Sequence, residues 1–373
     1  MLMQRYNFLI HFYHIDIPMA FKDIIGQDKA VTILLKTIQR GRIPSSYLFT
    51  GESGIGKKLA AINLAKTLNC LNRPAGNESK STPLDKEGLL GTIDACDTCD
   101  SCKKTDKGIH PDCLLVSPES GQIRIEEIRA IDDSLSLKAF EGTYKIVIVD
   151  DADMMNQYAA NAFLKTLEEP PENSVIILIS SKPDRLPDTI RSRCSRINFT
   201  PLSPDECLAV ITRQVKDLSG VKPSRAGKNP SIDTPGPGVS TVVQLSMGRP
   251  GLAVSADLLE EREWFLKLLK SMLNAEKDGW ATKEEMERWF ELLLILLRDI
   301  VIVKITGKQT GLINLDLGEY VKKLSRSIDL QGIIMDYVQL NTLKGYFNFH
   351  LNKGLTWNYT GSLLRARMDI PNA

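Results

Sequence analysis

Gly51-Glu52-Ser53-Gly54-Ile55-Gly56-Lys57-Lys58 follows the apolar run Tyr47-Leu48-Phe49 and leads into a helical pattern of Leu59, Ala60, Ile62, Leu64, Ala65 and Leu68. A strand that runs into glycines at this spacing, then a lysine, then a helix, predicts a phosphate-cradling loop. Glycines let backbone N–H groups converge on phosphate oxygens, the helix N-terminus adds positive potential, and Lys57 supplies a point charge. The next position normally carries a Ser or Thr whose hydroxyl holds magnesium, but here it is Lys58. The loop therefore predicts a nucleotide-binding core whose ability to turn over ATP with magnesium is in question.

Composition sets the outer bounds. With 373 residues, 43% hydrophobic and 25% charged, the chain is long enough for two or three globular domains. Its strongest apolar run, Leu292 to Leu297, is far too short to span a bilayer and is flanked by Glu291 and Arg298. We therefore expect no membrane contact. A net charge of +1 provides no global field for nucleic acid, so a DNA contact has to come from a local patch or from partner subunits. Residues 1–18 carry a single arginine, Arg5, and lack a small-residue cleavage site, which makes them a poor signal peptide. They read as an extension, with Met19 the better-suited start.

Seven cysteines are too few and too clustered for a disulfide framework and point to a reducing, cytoplasmic setting. Cys96-Asp97-Thr98-Cys99-Asp100-Ser101-Cys102, together with Cys70 at the end of the helix after the phosphate loop, offers four thiolates. That is the donor set of a closed structural zinc site, and the bland alternative is free surface thiols. Cys113, within Asp112-Cys113-Leu114-Leu115-Val116, reads as part of a buried strand, and Cys194 and Cys207 read as core.

Downstream, Gln122 to Leu137 has helical spacing. Tyr144-Lys145-Ile146-Val147-Ile148-Val149-Asp150-Asp151 is a continuous apolar strand ending in two acids. Such a strand is buried on both faces of a parallel sheet, and its acids emerge at the carboxyl edge where ligands bind. Asp150 is then placed to hold magnesium through water, and Asp151 stands where the water-polarising acid is usually a glutamate; two solvated turn acids are the alternative. A helix through Ala159 to Leu167, stopped by Pro170-Pro171, and a further strand, Val175 to Ile179, complete an alternating pattern that specifies a doubly wound α/β sheet.

Ser203-Pro204-Asp205-Glu206 has the form of a capped helix start, and Ser219 to Gly238 is a Pro-, Gly- and Ser-rich stretch expected to be a disordered loop. From Ala256 every strong pattern is helical: Leu258 to Leu273, a helix capped by Thr282 and running to about Ile305, then Ile328 to Leu351. Trp264, Trp280 and Trp289 read as packing anchors. The expected division is 19–201 for the nucleotide-binding core with a metal-binding insertion at 70–102, 202–255 for a helical lid with the loop 219–238, and 256–373 for an all-helical oligomerisation domain.

Phe21-Lys22-Asp23-Ile24-Ile25-Gly26-Gln27, the phosphate loop, the three-cysteine run, His110-Pro111-Asp112, the stretch Asn161 to Pro171 ending Leu167-Glu168-Glu169-Pro170-Pro171, and Ser192-Arg193-Cys194 occur in that order. Together they resemble the AAA+ clamp-loader subunits of bacterial DNA polymerase III, densely from Met19 to Pro204. The helical tail is compatible with that family's collar. The resemblance implies a P-loop AAA+ module with a lid and a collar, and a place in a complex of gamma/tau and delta subunits that loads the sliding clamp on primed DNA. Lys58, Asp151 in place of a glutamate, and Gly251 where motor subunits carry a sensor arginine favour the delta prime type over the gamma or tau motors. Arg249 lies two residues from that position. The resemblance then implies that Arg193 acts as a finger in trans on a neighbour's nucleotide. On its residues alone, Arg193 would be a salt bridge closing a strand end. A gamma-like motor ATPase is the alternative reading.

Overall fold

The computed structural model describes residues 20–72, 93–118, 121–218, 237–255, 258–277, 279–349 and 351–367. The expectations for residues 1–18 and for most of the 219–238 loop lie outside them. The chain divides into two compact units: the described residues up to Val215 together with Gly248–Ser255, and the described residues of Lys216–Met247 together with those from Ala256 onward.

The first unit is built on five parallel strands: β1 Ser46–Thr50, β2 Cys113–Val116, β3 Lys145–Val149, β4 Ser174–Ser180 and β5 Ser195–Asn198. Their order across the sheet is β2-β3-β4-β1-β5. The apolar runs recognisable in the sequence are the three central strands, and every residue of β1, β3 and β4 is buried, as a sheet covered on both faces requires. One face is covered by helices Asp28–Gln39 and Lys57–Asn69, the other by Ile125–Ser136 and Gln157–Glu168. β1 lies between β4 and β5, so the phosphate loop leaves the sheet where neighbouring strands are connected in different directions.

β2 corrects one expectation. It is a strand, but an edge strand, so Cys113 is only partly buried and Leu115 is 41% exposed. A short run of apolar residues does not tell an edge from a centre. Cys194 is likewise half-buried, whereas Cys207 is in the core. The helix expected over Gln122–Leu137 starts only at Ile125, because Ile123 is bridged to Met155 beside the sheet. Ser203 and Glu206 form the reciprocal cap their spacing predicts. The Ser203 N–H donates to Glu206 Oε2 at 2.8 Å, and the Glu206 N–H donates to Ser203 Oγ at 3.3 Å.

The second unit is helical among its described residues. Its long helix, Lys283–Thr306, begins at Thr282, whose side chain accepts from the Glu285 N–H, and ends at Gly307 with φ +66°. Trp280, Trp289, Trp357, Phe290 and Phe347 form the aromatic centre of its core; Trp280 and Trp357 meet edge-on with ring centroids 4.8 Å apart. Trp264 packs against this core without being fully buried. The segment expected as one helix over 328–351 is a helix at Leu330–Gly345 followed by a short turn at Phe347–Phe349. Two further helices, Gly318–Ser327 and Lys353–Arg365, were not expected. Fully buried Asp299 accepts from the backbone N–H groups of Ile313 and Asn314 at 3.0 and 2.8 Å, which fixes the loop after the long helix.

Candidate functional site

The phosphate loop is formed as its glycines demand. Gly51, Gly54 and Gly56 have φ of +140°, +80° and +98°, a region open to glycine at no steric cost. Gly51 also has no room for a side chain, since a Cβ there would lie 2.5 Å from the Phe199 carbonyl oxygen. Buried Gln27, from the Gly26-Gln27 stretch, braces the loop from below. Its amide nitrogen donates to the Ile55 carbonyl at 3.2 Å and to the Thr200 carbonyl at 2.7 Å, and its oxygen accepts from the Thr200 N–H.

Across the loop mouth, the Gly251 N–H donates to the Gly54 carbonyl at 2.9 Å. A Cβ on Gly251 would come within 2.9 Å of Gly54, so the absence of an arginine at this position goes with close backbone packing. Arg249 Nε instead lies 3.5 Å from Glu52 Oε2 on the loop itself.

Lys57 Nζ donates to the Gly51 and Glu52 carbonyls at 2.7 and 2.6 Å. Burial lowers its pKa against the raising effect of Asp151, Asp150, Asp153 and Glu52. Lys58 Nζ stands 3.1 Å from Asp150 Oδ2, with both side chains largely sheltered. The carboxylate expected to hold magnesium is here paired with an ammonium, and position 58 offers no hydroxyl for the ion. Asp151 sits in left-handed backbone at φ +45°; desolvation, then the charges of Asp150 and Asp153, raise its carboxyl pKa. Ser180 Oγ, at the end of β4, donates to Asp153 Oδ1 at 2.5 Å, so the acids and the neighbouring strand end are tied together.

Away from the loop, the sulfurs of Cys70, Cys96, Cys99 and Cys102 lie within 4.8 Å of one another and could hold a metal ion. Cys99 and Cys102 are buried; Cys70 and Cys96 are partly so. Cys70 Sγ accepts from the Cys96 N–H and Cys96 Sγ from the Cys99 N–H, both at 3.4 Å. Against the opposing effect of burial, hydrogen bonds from Thr98 and Cys99 bring Cys96 down to about 6, while burial and the adjacent thiols push Cys102 up. Four sulfurs this close resist ionising together without a cation, and a tetrahedrally bound metal ion would supply the missing charge.

The segment around this cluster is tied to the core by polar pairings between residues far apart in the chain. Fully buried Lys66 bridges Asp97 at 2.5 Å and Asp106 at 2.8 Å. Asp94 accepts from the Phe21 and Lys22 N–H groups at 3.1 and 2.9 Å. Asp112, at the foot of β2, accepts from the N–H groups of Phe140, Glu141 and Gly142 and pairs with Lys145 at 3.1 Å. Burial would raise the Asp112 carboxyl, but these partners together hold it near 2. Its contribution to stability is therefore complete above the unfolded value of about 3.9 and is lost as the pH falls toward 2. Asp112→Asn is expected to cost about 3 kcal/mol, because Lys145 is left without its buried partner. It should also flatten the acid limb of a stability-versus-pH curve measured by denaturant melts, and an unchanged limb would show that the carboxylate contributes nothing there.

Arg193 lies two residues before β5 and joins the end of the helix Gln157–Glu168 to the short helix Asp188–Arg191. Nη2 is 2.5 Å from Glu168 Oε1, and Nη1 donates to the Thr189 carbonyl at 2.9 Å. The pair is exposed, at 34% and 50% of the two side chains. No helix among the described residues is long and apolar enough to cross a membrane.

A family model described as DNA polymerase III, delta subunit, matches residues 26–203. The chain is 30% identical over 308 residues to DNA polymerase III subunit delta' of Bacillus subtilis, a match covering 80% of this chain and 83% of that protein. It is 37% identical over 189 residues to DNA polymerase III subunit gamma of Buchnera aphidicola subsp. Acyrthosiphon pisum, covering 51% of this chain and 47% of the relative. Among solved structures, a DNA polymerase III gamma subunit-related protein from Thermotoga maritima aligns with a TM-score of 0.38 and 18% identity, over 90% of this chain and 99% of that one.

Proposed function

Because the chain belongs to the delta' family of DNA polymerase III clamp-loader subunits, we propose that it serves as the stator of the loader. In this reading it assembles with gamma/tau and delta subunits, through the helical region from Ala256 onward, to load the sliding clamp on primed DNA. Its own loop does not turn over, and Arg193 reaches the nucleotide of the neighbouring motor subunit. The observation that carries the reading is the 3.1 Å pair of Lys58 with Asp150, which joins two positions that a hydrolytic P-loop uses for magnesium.

The exposed pairing of Arg193 with Glu168 is compatible with a finger. A surface ion pair is worth about 0–1 kcal/mol. A guanidinium on phosphoryl oxygens makes stronger, bidentate bonds, so exchanging one partner for the other at an interface costs little. In the same reading Cys70, Cys96, Cys99 and Cys102 hold a structural zinc, since an all-thiolate set closes the coordination shell and leaves no position for chemistry.

A motor-type reading rests on the complete remainder of the loop: Gly51, Gly54, Gly56 and Lys57 are all in place. The two are separated by phosphate release from the purified chain alone in magnesium and ATP. The stator reading expects no turnover above buffer. Steady turnover that disappears in Lys57→Ala would move the chain to the motor class.

A further inference from the structure

We infer that Lys58 is a built-in cation standing in for magnesium, so that the loop binds a nucleoside di- or triphosphate without any divalent ion. This rests on the reading of the loop as non-hydrolytic but goes beyond it, since a silent ATPase site can equally be an empty one.

Three features lead here. Lys58 lies in the first turn of the helix Lys57–Asn69, next to the lysine that belongs to the phosphates, and its ammonium already neutralises Asp150. A divalent ion brought to the same carboxylate would meet that ammonium at close range, and its repulsion disfavours the ion. The loop keeps its three glycines in positive-φ backbone, as the motif requires, and it runs straight into the N-terminus of the helix Lys57–Asn69. Finally, positive charge is supplied by the chain, with Lys57 on the loop carbonyls, Arg249 on Glu52 and Lys58 on Asp150. An ammonium carries three donors, so the group that pairs with Asp150 can also bond a phosphate oxygen. The balance that a metal-dependent site obtains from an added ion is here written into the sequence.

The test is a titration of the whole purified chain with fluorescent ADP and ATP analogues, in millimolar magnesium and in resin-treated metal-free buffer. Chelators are avoided so that the cysteine cluster is not disturbed. Wild type is expected to bind with the same affinity in both buffers. Lys58→Thr, which restores the hydroxyl and frees Asp150, should bind about tenfold or more tighter with magnesium than without, a difference on the scale of one charge-assisted contact. Lys58→Met, lacking both ammonium and hydroxyl, should weaken binding in both buffers. Thermal melts of each variant report whether it is folded, and the wild-type pair of titrations needs no variant at all.

Wild-type affinity that collapses on removing magnesium overturns the inference. So does the absence of wild-type binding in either buffer, which leaves the stator reading standing. Hydrolysis by the isolated wild-type chain would instead remove the stator reading, whatever the titrations give.

Discussion

Stripping the metal from Cys70, Cys96, Cys99 and Cys102 is expected to release the segment that carries them and to lower the melting temperature. Structural zinc sites contribute on the order of 10 kcal/mol in small metal-dependent domains. Here part of that is backed up by Lys66 with Asp97 and Asp106, by Asp94 on the Phe21 turn, and by Ser101 Oγ donating to the Asn69 carbonyl at 2.7 Å. The cysteines pack in a small cluster apart from the two apolar groups that cover the sheet, so the expected product is a folded core with a loosened insertion. Cys102→Ser is the sharper form of the experiment, because that sulfur is fully buried. Stoichiometric zinc should fall below detection, and proteolysis should begin between residues 93 and 106. Wild-type protein purified without metal, with a melt unchanged by added zinc, would remove the zinc assignment.

The second large effect belongs to Arg193. In a loader assembled with its motor and delta-type partners, Arg193→Ala is expected to slow hydrolysis at the neighbouring site by roughly a thousandfold, about 4 kcal/mol of transition-state stabilisation, as for arginine fingers in phosphoryl transfer. The fold should hardly notice, since the pair lost with Glu168 lies at the surface. Nucleotide affinity at that neighbouring site should change much less than its rate, because the finger meets charge that develops in the transition state. A substitution that weakened assembly instead would appear as a concentration-dependent loss, separable by titrating the subunits.

The sequence made some of this legible and hid the rest for identifiable reasons. Three central strands announced themselves because burial on both faces forces unbroken apolar runs, as in Val175 to Ile179. The loop glycines were readable because left-handed backbone leaves few alternatives. The four cysteines were readable from two short spacers, although Cys70 is 26 residues from Cys96 and needed the helix end to bring it there.

What could not be read was partnership across distance. Lys58 was visibly wrong for magnesium, but only the structure places its ammonium on Asp150. The bracing of Ile55 and Thr200 by Gln27, and the three N–H groups gathered by Asp112, join segments far apart in the chain. The helix Gly318–Ser327 did leave a signal in Val321 and Leu324, which are both buried at helical spacing, but Gly318 at its start disguised it. In Lys353–Arg365 the buried side includes Thr356, Thr360 and Gly361 beside Trp357 and Leu364, so small and polar residues interrupt the apolar stripe.

The most direct test of the stator reading compares two substitutions in this one chain within the same reconstituted loader, by rapid-quench measurement of ATP hydrolysis during clamp loading. Arg193→Ala, remote in sequence from the chain's own phosphate loop, is expected to slow hydrolysis by the loader, while Lys57→Ala, which disables that loop, leaves it unchanged. The opposite pattern, with Lys57→Ala slow and Arg193→Ala normal, would contradict the reading and show that this subunit hydrolyses its own nucleotide.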